Sequence, residues 1–439
     1  MSRFLYTTLL LLLAPLIPLY LLWRARRQPE YRQHWGERCG LYPALPPSPT
    51  RPILWLHAVS VGETRASQPL IQHLRQHWPQ HCILLTHMTP TGRQTAFDLY
   101  GDSILHAYLP YDWPWAVHAF LQHFQPVAGI LMETELWPNL VATCQQRRIP
   151  LLLVNARLSE KSARRYARLP ALTRPMLQAL TTVAAQSPDD AARLQTLGAR
   201  ETQLHVCGNL KFDISPPAAQ LSLGQSWRKQ WGPRQVLLLA STRDGEEALI
   251  LDAWCRQQQC HTNRDTDRDT HPMRPLLLIV PRHPQRFDSV ARLVEERGLH
   301  LARRSHTTTP DARIDVLLGD SMGEMFAYYA ASDAAFIGGS LLDYGCQNLI
   351  EACATGIPVL IGPSTYNFTE AAQAALACGA ACRITDAGHL VREAFRLLED
   401  KAQQVRAGTA GKTLVAQHQG ASARTLSLLE RTLPEPLAR

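Results

Sequence analysis

Residues 53–64 read ILWLHAVSVGET: an apolar run that ends in a small, glycine-bearing turn and opens a helical pattern. The same phrase recurs along the chain. Candidate strands are Ile53–Val59, Cys82–Met88, Ser103–Leu109, Val127–Met132, Pro150–Asn155, Thr182–Ala185 and Leu204–Cys207, each followed by a polar stretch long enough for a helix. Strands alternating with helices predict a doubly wound parallel sheet. After the turn signals Pro216-Pro217 and Gly232-Pro233 a second series begins, with Val236–Ala240, Leu276–Val280, Val316–Leu318, Ala334–Ile337 and Val359–Ile361. Two α/β domains are therefore expected, over residues 53–215 and 216–400. Between the first two strands of the second series, Gln257–Arg274 is polar and aperiodic, and it reads as a solvated surface insertion.

Composition sets bounds on function. The chain has 439 residues, 46% of them hydrophobic, which fills real cores and excludes a disordered or fibrous class. Its 45 Lys+Arg against 37 Asp+Glu give a net charge of +8, a balance that favours anionic partners. The arginines are scattered and not interleaved with aromatics, so nucleic acid is not the expected partner, whereas anionic lipid or nucleotide is. None of the ten cysteines forms a CxxC pair, which removes zinc-finger and redox spacing and leaves a reduced body with buried thiols as small hydrophobes.

The N-terminus carries FLYTTLLLLLAPLIPLYLLW, Phe4 to Trp23, an uncharged run of 20 residues. As one helix it measures about 30 Å, the thickness of a hydrocarbon core. Arg24, Arg26, Arg27 and Arg32 follow it against Arg3 before it, and this asymmetry places the rest of the chain in the cytoplasm, anchored at an inner membrane. The prolines at 15 and 18 leave open whether the run spans or lies in one leaflet. A cleaved signal peptide is disfavoured by the basic WRARRQPEYR that follows. Residues 1–32 thus read as membrane anchor and basic flank, and 33–52, ending in YPALPPSPTRP, as a Pro-rich linker.

In doubly wound sheets, ligands bind beyond the carboxyl ends of the strands, and two such domains are expected to share a cleft. There, Gly62 lets backbone approach a ligand and Glu63 falls in a first helical turn, where a carboxylate serves as general base or simply favours the helix dipole. Glu133 and Glu135, in METELWP, share one face if the strand continues; they either raise a pKa or cap the next helix. Lys211 ends the seventh run, as an interdomain cation or a solvated charge. In the second domain Ser241-Thr242-Arg243 and Pro281-Arg282 end strands, and each arginine is either an anion fork or half of an ion pair. Gly319–Met325 and Gly338-Gly339-Ser340 read as glycine-rich helix starts whose free N–H groups suit phosphate. No Walker lysine or GxGxxG is present.

The ordered blocks HAVSVGE, LTHMTPTGR, LPYDWP, METELWPNL, VNARLSEKS, GNLKFD, ASTRDGEE, PRHPQRF, GDSMGEM, GGSLLDYGCQNLIEA and GPSTYNF resemble the 3-deoxy-D-manno-octulosonic acid (Kdo) transferases, from the N-terminal segment to about residue 370. The resemblance implies a metal- and cofactor-independent GT-B glycosyltransferase, with a lipid A precursor on the first domain and CMP-Kdo on the second. It carries a catalytic base to Glu63, transition-state roles to Glu133 and Lys211, and donor binding to Arg282, Gly323, Glu324, Met325, Asn348 and Glu351; Ser241, Arg243, Pro281, Leu349 and Ile350, beside them in sequence or at the matching strand end, are expected to share the donor site. It also implies that the helical segment 401–439 packs back on the first domain. Two departures stand out: the family's Gly-Gly-His-Asn loop reads Gly345-Cys346-Gln347-Asn348, and the histidine after Gly-Pro is Ser364. A GT-B enzyme using a UDP-sugar and a catalytically silent membrane-tethered scaffold are the competing readings.

Overall fold

The computed structural model describes residues 2–26, 28–43, 51–262, 274–307, 310–311 and 313–433. The chain divides into two compact units, residues 1–213 with 419–439, and 214–418.

The first unit is built on seven parallel strands: β1 (Ile53–His57), β2 (Cys82–His87), β3 (Leu105–Tyr108), β4 (Pro126–Met132), β5 (Leu151–Ala156), β6 (Thr182–Ala185) and β7 (Leu204–Val206). Their order is β3-β2-β1-β4-β5-β6-β7. The chain winds outward one way from β1 and the other way from β4, so the switch point, where a doubly wound sheet binds its ligand, lies between the ends of these two strands. Both faces are covered: Trp55, Phe120, Leu131 and Leu153 pack on one side, and Leu54, Leu56, Ile71 and Ile130 on the other. Burial on both faces is why β1 and β4 read as unbroken apolar runs. Gly129 in β4 makes room for the Trp55 ring, since a Cβ there would lie 2.6 Å from Trp55 Cε3.

The second unit repeats the plan with β8 (Val236–Thr242), β9 (Leu276–Pro281), β10 (Leu301–Arg303), β11 (Val316–Leu318), β12 (Ala334–Ile337), β13 (Val359–Ile361) and β14 (Ala381–Arg383), all parallel. The order is β10-β11-β9-β8-β12-β13-β14, with the switch point between β8 and β12. Strands β10 and β14 were absent from the expected series. Each spans three residues at a sheet edge and carries an arginine, so neither length nor apolarity announces it.

Three expectations about the two terminal segments and the linker are corrected. The apolar N-terminal run is not one helix: Arg3–Leu13 and Leu16–Ala25 meet at a 58° bend around Ala14 and Pro15, and no single helix among the described residues is long and apolar enough to cross a membrane. Proline at the break accounts for the bend. The first helix docks on its own domain, Tyr6 donating to Asp112 at 3.0 Å and Thr7 to Asn139 at 3.0 Å, while Phe4, Leu9, Leu12, Leu16, Leu19 and Trp23 stay exposed. Second, the segment expected as linker contains a folded turn, helix Trp35–Arg38, whose Glu37 is buried against Arg93 at 2.7 Å; residues 44–50 lie outside the described residues. The polar stretch expected as an insertion begins inside helix Glu246–Thr262, and its residues 263–273 likewise lie outside them.

Third, the segment 401–439 divides. Helix Lys401–His418 belongs to the second unit, where Gly408 and Gly411 form a notch against helix Ile350–Thr355: a Cβ on Gly408 would lie 2.0 Å from the Gly356 carbonyl oxygen. Helix Ala421–Thr432 returns to the first unit, its start held by Asp213, which accepts from the backbone N–H of Gly420 at 2.6 Å and of Ser422. Alanine restores about 1 kcal/mol of helix propensity at an ordinary helical glycine. At Gly408 the clash is with rigid backbone and overpacking outweighs that gain. Gly408→Ala is therefore expected to lower the melting temperature in a thermal unfolding scan, and a rise would contradict this packing.

Candidate active site

Strand β1 ends in the loop Ala58–Ser60, and Ser60 caps helix Val61–Ala66. Glu63, the third residue of that helix, turns back on the cap. Its Oε2 accepts from the Val59 N–H at 2.9 Å and its Oε1 from the Ser60 hydroxyl at 2.9 Å, while Ser60 Oγ accepts from the Glu63 N–H at 3.4 Å. The residue therefore closes a capping-box-like ring and is at the same time a buried carboxylate. The THMTPTGR block supports the loop from beneath. Thr89 donates to the Val59 carbonyl at 2.9 Å, and His87 Nδ1 lies 2.8 Å from the Ala58 carbonyl. Gly92 permits the approach, because a Cβ there would lie 3.0 Å from the Val59 oxygen.

Only 8% of the Glu63 surface is exposed. Burial is the main reason its pKa rises to about 7; the negative charge of Glu133 adds to the rise, and the bonds from Val59 and Ser60 oppose it. A carboxylate poised there is a competent general base near neutrality.

Strand β4 ends at Met132, and Glu133 leaves it with φ +56°, a left-handed conformation rare for this residue type. The extended geometry that would align Glu133 and Glu135 therefore does not persist. Glu133 Oε1 pairs with Lys211 Nζ at 3.0 Å, and Glu135 Oε2 accepts from the Trp137 indole at 3.0 Å. Burial holds the Glu135 pKa above the ordinary value, the Trp137 bond opposing and Glu133 adding. Neither carboxylate caps helix Pro138–Gln146. Asp112 does, accepting from the Asn139 and Leu140 N–H groups at 2.8 Å each. Lys211 is held by a loop that Asn155 organises: at the end of β5, with φ +55°, its Oδ1 accepts from the Leu210 N–H at 3.0 Å. The first unit thus brings Glu63, Glu133 and Lys211 to the ends of the strands that flank its switch point.

The helix Glu160–Ala167, after β5, carries a basic ridge that begins at the end of VNARLSEKS, runs on beyond it to Arg168, and was given no role from the sequence. Lys161, Arg164, Arg165 and Arg168, with Glu160, line an open depression of about 620 Å³. The spacing of these cations at three and four residues was visible in the sequence and is the signal that would have found them.

In the second unit, Ser241 (φ +55°) and Arg243 end β8, and Pro281 and Arg282 end β9. Arg243 lies 4.8 Å over the Tyr344 ring and donates to His283 Nε2 at 2.9 Å. Burial, then Arg243, Arg282 and Arg286, hold the His283 pKa below its ordinary value. Arg286 is a structural ion pair, forked onto Glu247 at 2.7 and 2.8 Å. The glycine-rich turn after β12 is not the free N–H cradle expected. Buried Glu246 accepts from Gly339 at 2.7 Å and Leu341 at 3.0 Å, and Gly338 N–H bonds the Ala240 carbonyl. A carboxylate already fills the place assigned to phosphate.

Gly323 takes φ +80°, and Glu324 pairs with Arg304 at 2.9 Å just before Met325 opens helix Met325–Ala330. Asn348, two residues before helix Ile350–Thr355 begins, accepts from the Ile350 N–H at 3.0 Å and donates to Glu351 at 3.0 Å. Pro281, Leu349 and Ile350 are buried. The two departures in the loop have a local logic. Cys346 stands at φ +70° and is buried, so burial pushes its thiol up to about 12, and Ser364 accepts from the Gly345 N–H at 3.1 Å while donating to Asp343.

Removing the Ser60 hydroxyl deletes one bond that favours ionised Glu63. Ser60→Ala is expected to move the Glu63 titration above about 7, read by carboxyl-carbon NMR, and to cost about 1 kcal/mol as a lost cap. An unchanged or lower titration would show that the bond does not tune this group.

A model of the 3-deoxy-D-manno-octulosonic-acid transferase (kdotransferase) family matches residues 33–214. The chain is 45% identical to the 3-deoxy-D-manno-octulosonic acid transferase of Bordetella pertussis over 437 residues, 98% of this chain and 99% of that one. It is 38% identical to that of Haemophilus influenzae over 432 residues, 98% of each. A UDP-GlcNAc 2-epimerase from Neisseria meningitidis shares the fold alone, with a TM-score of 0.55 at 14% identity over 86% of this chain and 99% of that one. The two seven-stranded parallel sheets are accordingly a GT-B-like glycosyltransferase fold. Two switch-point sheets, the carboxylate–lysine group on the first and identity over nearly the whole length converge: the chain belongs to the Kdo transferase family, glycosyltransferases of lipopolysaccharide biosynthesis.

Proposed function

We propose that the protein transfers Kdo from CMP-Kdo to a sugar hydroxyl of a lipid A precursor, with Glu63 as general base. The observation that carries this reading is the Glu63 carboxylate, buried at the switch point of the first sheet and held near neutrality by burial and Glu133. Glu63 takes the acceptor proton as that oxygen forms its bond to the anomeric carbon, and the bond from that carbon to the CMP phosphate breaks with its electron pair leaving on CMP. Attack from the opposite face inverts the donor, giving an α-ketoside from a β-linked sugar. Glu133 lies where its charge favours the cationic sugar of the transition state, and Lys211, bonded to it, offers a cation to the Kdo carboxylate.

On the second unit, Arg243 and Arg282 at the ends of β8 and β9 are suited to the donor's phosphate, and the Asn348–Glu351 pair to sugar hydroxyls. Ser241, Pro281, Gly323, Glu324, Met325, Leu349 and Ile350 complete the donor site as lining or platform. The basic ridge from Lys161 to Arg168 suits the phosphates of the acceptor.

The bent N-terminal pair is proposed to lie in the cytoplasmic leaflet of the inner membrane and not to span it. Tyr6 and Thr7, inside the apolar run, are bonded to the globular domain, which holds the first helix against the protein surface, while the exposed leucines, Phe4 and Trp23 supply an apolar face. Trp113 is buried and stacks at 5.3 Å on Trp115, which alone of the two is exposed enough to reach an interface. Replacing Leu12, Leu16 and Leu19 together by Asp is expected to abolish flotation with anionic vesicles. Undiminished flotation would remove this anchoring mode.

The decisive test is mass spectrometry of a tetra-acylated lipid A precursor incubated with the protein and freshly generated CMP-Kdo. A product heavier by whole Kdo units with the wild type, and none with Glu63→Gln, is expected; transfer by the variant removes the base assignment, and a product only with UDP-sugars removes the donor.

A base kept above its ordinary pKa also costs stability. The folded carboxyl binds more protons than the unfolded one between about 4.5 and about 7, so its burial destabilises the fold progressively across that window and fully above it. Glu63→Gln is therefore expected to be no less stable than wild type in denaturant titration at pH 8. A marked loss would make Glu63 primarily a cap.

A further inference from the structure

The helix Gln68–His77, the next after the helix that carries Glu63, bears two histidines one turn apart, His73 and His77, and the returning helix Ala421–Thr432 lays Glu430 beside them. Nε2 of His73 and Nε2 of His77 lie 3.0 and 3.8 Å from the same carboxylate oxygen, Glu430 Oε1. The two imidazoles are stacked with centroids 3.6 Å apart, and the three potential ligand atoms all fall within 4.8 Å of one another. Two ligands bonded at ~2.0–2.1 Å to a tetrahedral ion stand about 3.3 Å apart, a separation that the two observed distances bracket.

A second observation concerns which ring nitrogen is available. His77 Nδ1 lies 3.2 Å from the His73 carbonyl oxygen, an acceptor, so Nδ1 donates there and Nε2, turned toward Glu430, is the nitrogen left to ligate an ion. A backbone carbonyl holding the far nitrogen of a histidine is the usual outer support of a metal-bound imidazole. The opening faces solvent, His77 being 47% and Glu430 44% exposed at the side chain, so water can complete the coordination.

We propose that His73, His77 and Glu430 form a binding site for a zinc-class divalent ion, which clamps the C-terminal helix to the first domain. Two imidazoles and one carboxylate suit zinc or its first-row neighbours, and disfavour magnesium and calcium, which take oxygen ligands. The site lies outside the glycosyl-transfer machinery and asks nothing of it. Its role is structural: the segment after residue 418 packs on the first domain, held at its start by Asp213 and by Arg424 donating to the Cys207 carbonyl at 2.8 Å. An ion at Glu430 secures the other end of the same helix.

The test uses the full-length, detergent-solubilised protein stripped with chelator and titrated with zinc alone, followed by calorimetry and by thermal unfolding. One equivalent of zinc is expected to bind and to raise the melting temperature by on the order of 5 °C at a hundredfold excess over Kd. His77→Ala is expected to weaken binding more than about tenfold. Because His77 is exposed, its removal should leave the metal-free melting temperature unchanged. Glu430→Gln serves as the second variant, and magnesium as the negative control. Cobalt in place of zinc should give the visible absorption of a four-coordinate site. No zinc binding, or binding and a thermal shift that both variants retain, would overturn the proposal and leave a hydrogen-bonded cluster only.

Discussion

A carboxylate buried at the edge of a parallel sheet needs donors, and the way Glu63 finds them organises the first domain. Its two oxygens are held by the Val59 amide and the Ser60 hydroxyl, groups that exist in that place only because β1 ends at His57 and Ser60 starts a helix. The bonds keep the charged form accessible, and burial with Glu133 nearby keeps it from being too stable. The resulting pKa near 7 is a compromise between the two. Thr89, His87 and Gly92 maintain the loop that makes the compromise possible.

The same economy appears where strands end. Glu133, Asn155 and Ser241 adopt left-handed backbone at the carboxyl ends of β4, β5 and β8, each with φ near +55°. Strain at non-glycine residues persists only where surrounding contacts over-determine it, and it gathers at functional sites. At Glu133 it turns a side chain out of the strand to Lys211; at Asn155 it aims an amide at the Leu210 N–H, which sets the lysine's loop. The second domain solves its turn differently, with buried Glu246 tying down Gly339 and Leu341 from within.

Much of this was legible in the sequence because parallel strands covered on both faces are long apolar words with clear ends. All twelve expected strands are present, most shifted by only a residue or two at the ends. What escaped was short or depended on partners far away in sequence. Strands β10 and β14 are three-residue edge segments. The occupation of the Gly339 and Leu341 amides by Glu246 is set by a residue more than ninety positions earlier, which no local pattern reports. The division of residues 401–439 between the two units turns on a glycine notch at Gly408 and Gly411, invisible without the backbone it meets. For the apolar N-terminus, length suggested a single helix, whereas the break at Ala14 and Pro15 divides the run into two helices that meet at 58°. Candidate catalytic residues were placed by family motif, and spacing alone left Glu63 between base and cap; the geometry shows the capping bonds and a buried carboxylate in the same residue, so the two readings do not exclude each other.

The central claim is that one carboxylate, tuned in opposite directions by named neighbours, takes the acceptor proton. Its most direct test is the pH dependence of single-turnover Kdo transfer in wild type, Ser60→Ala and Glu133→Gln. The account predicts an acid limb near pH 7 in the wild type, moved up when the Ser60 bond is lost and down when the Glu133 charge is removed, whatever the absolute rates. A limb that stays in place in both variants, or is missing from the wild type between pH 5 and 9, would contradict it.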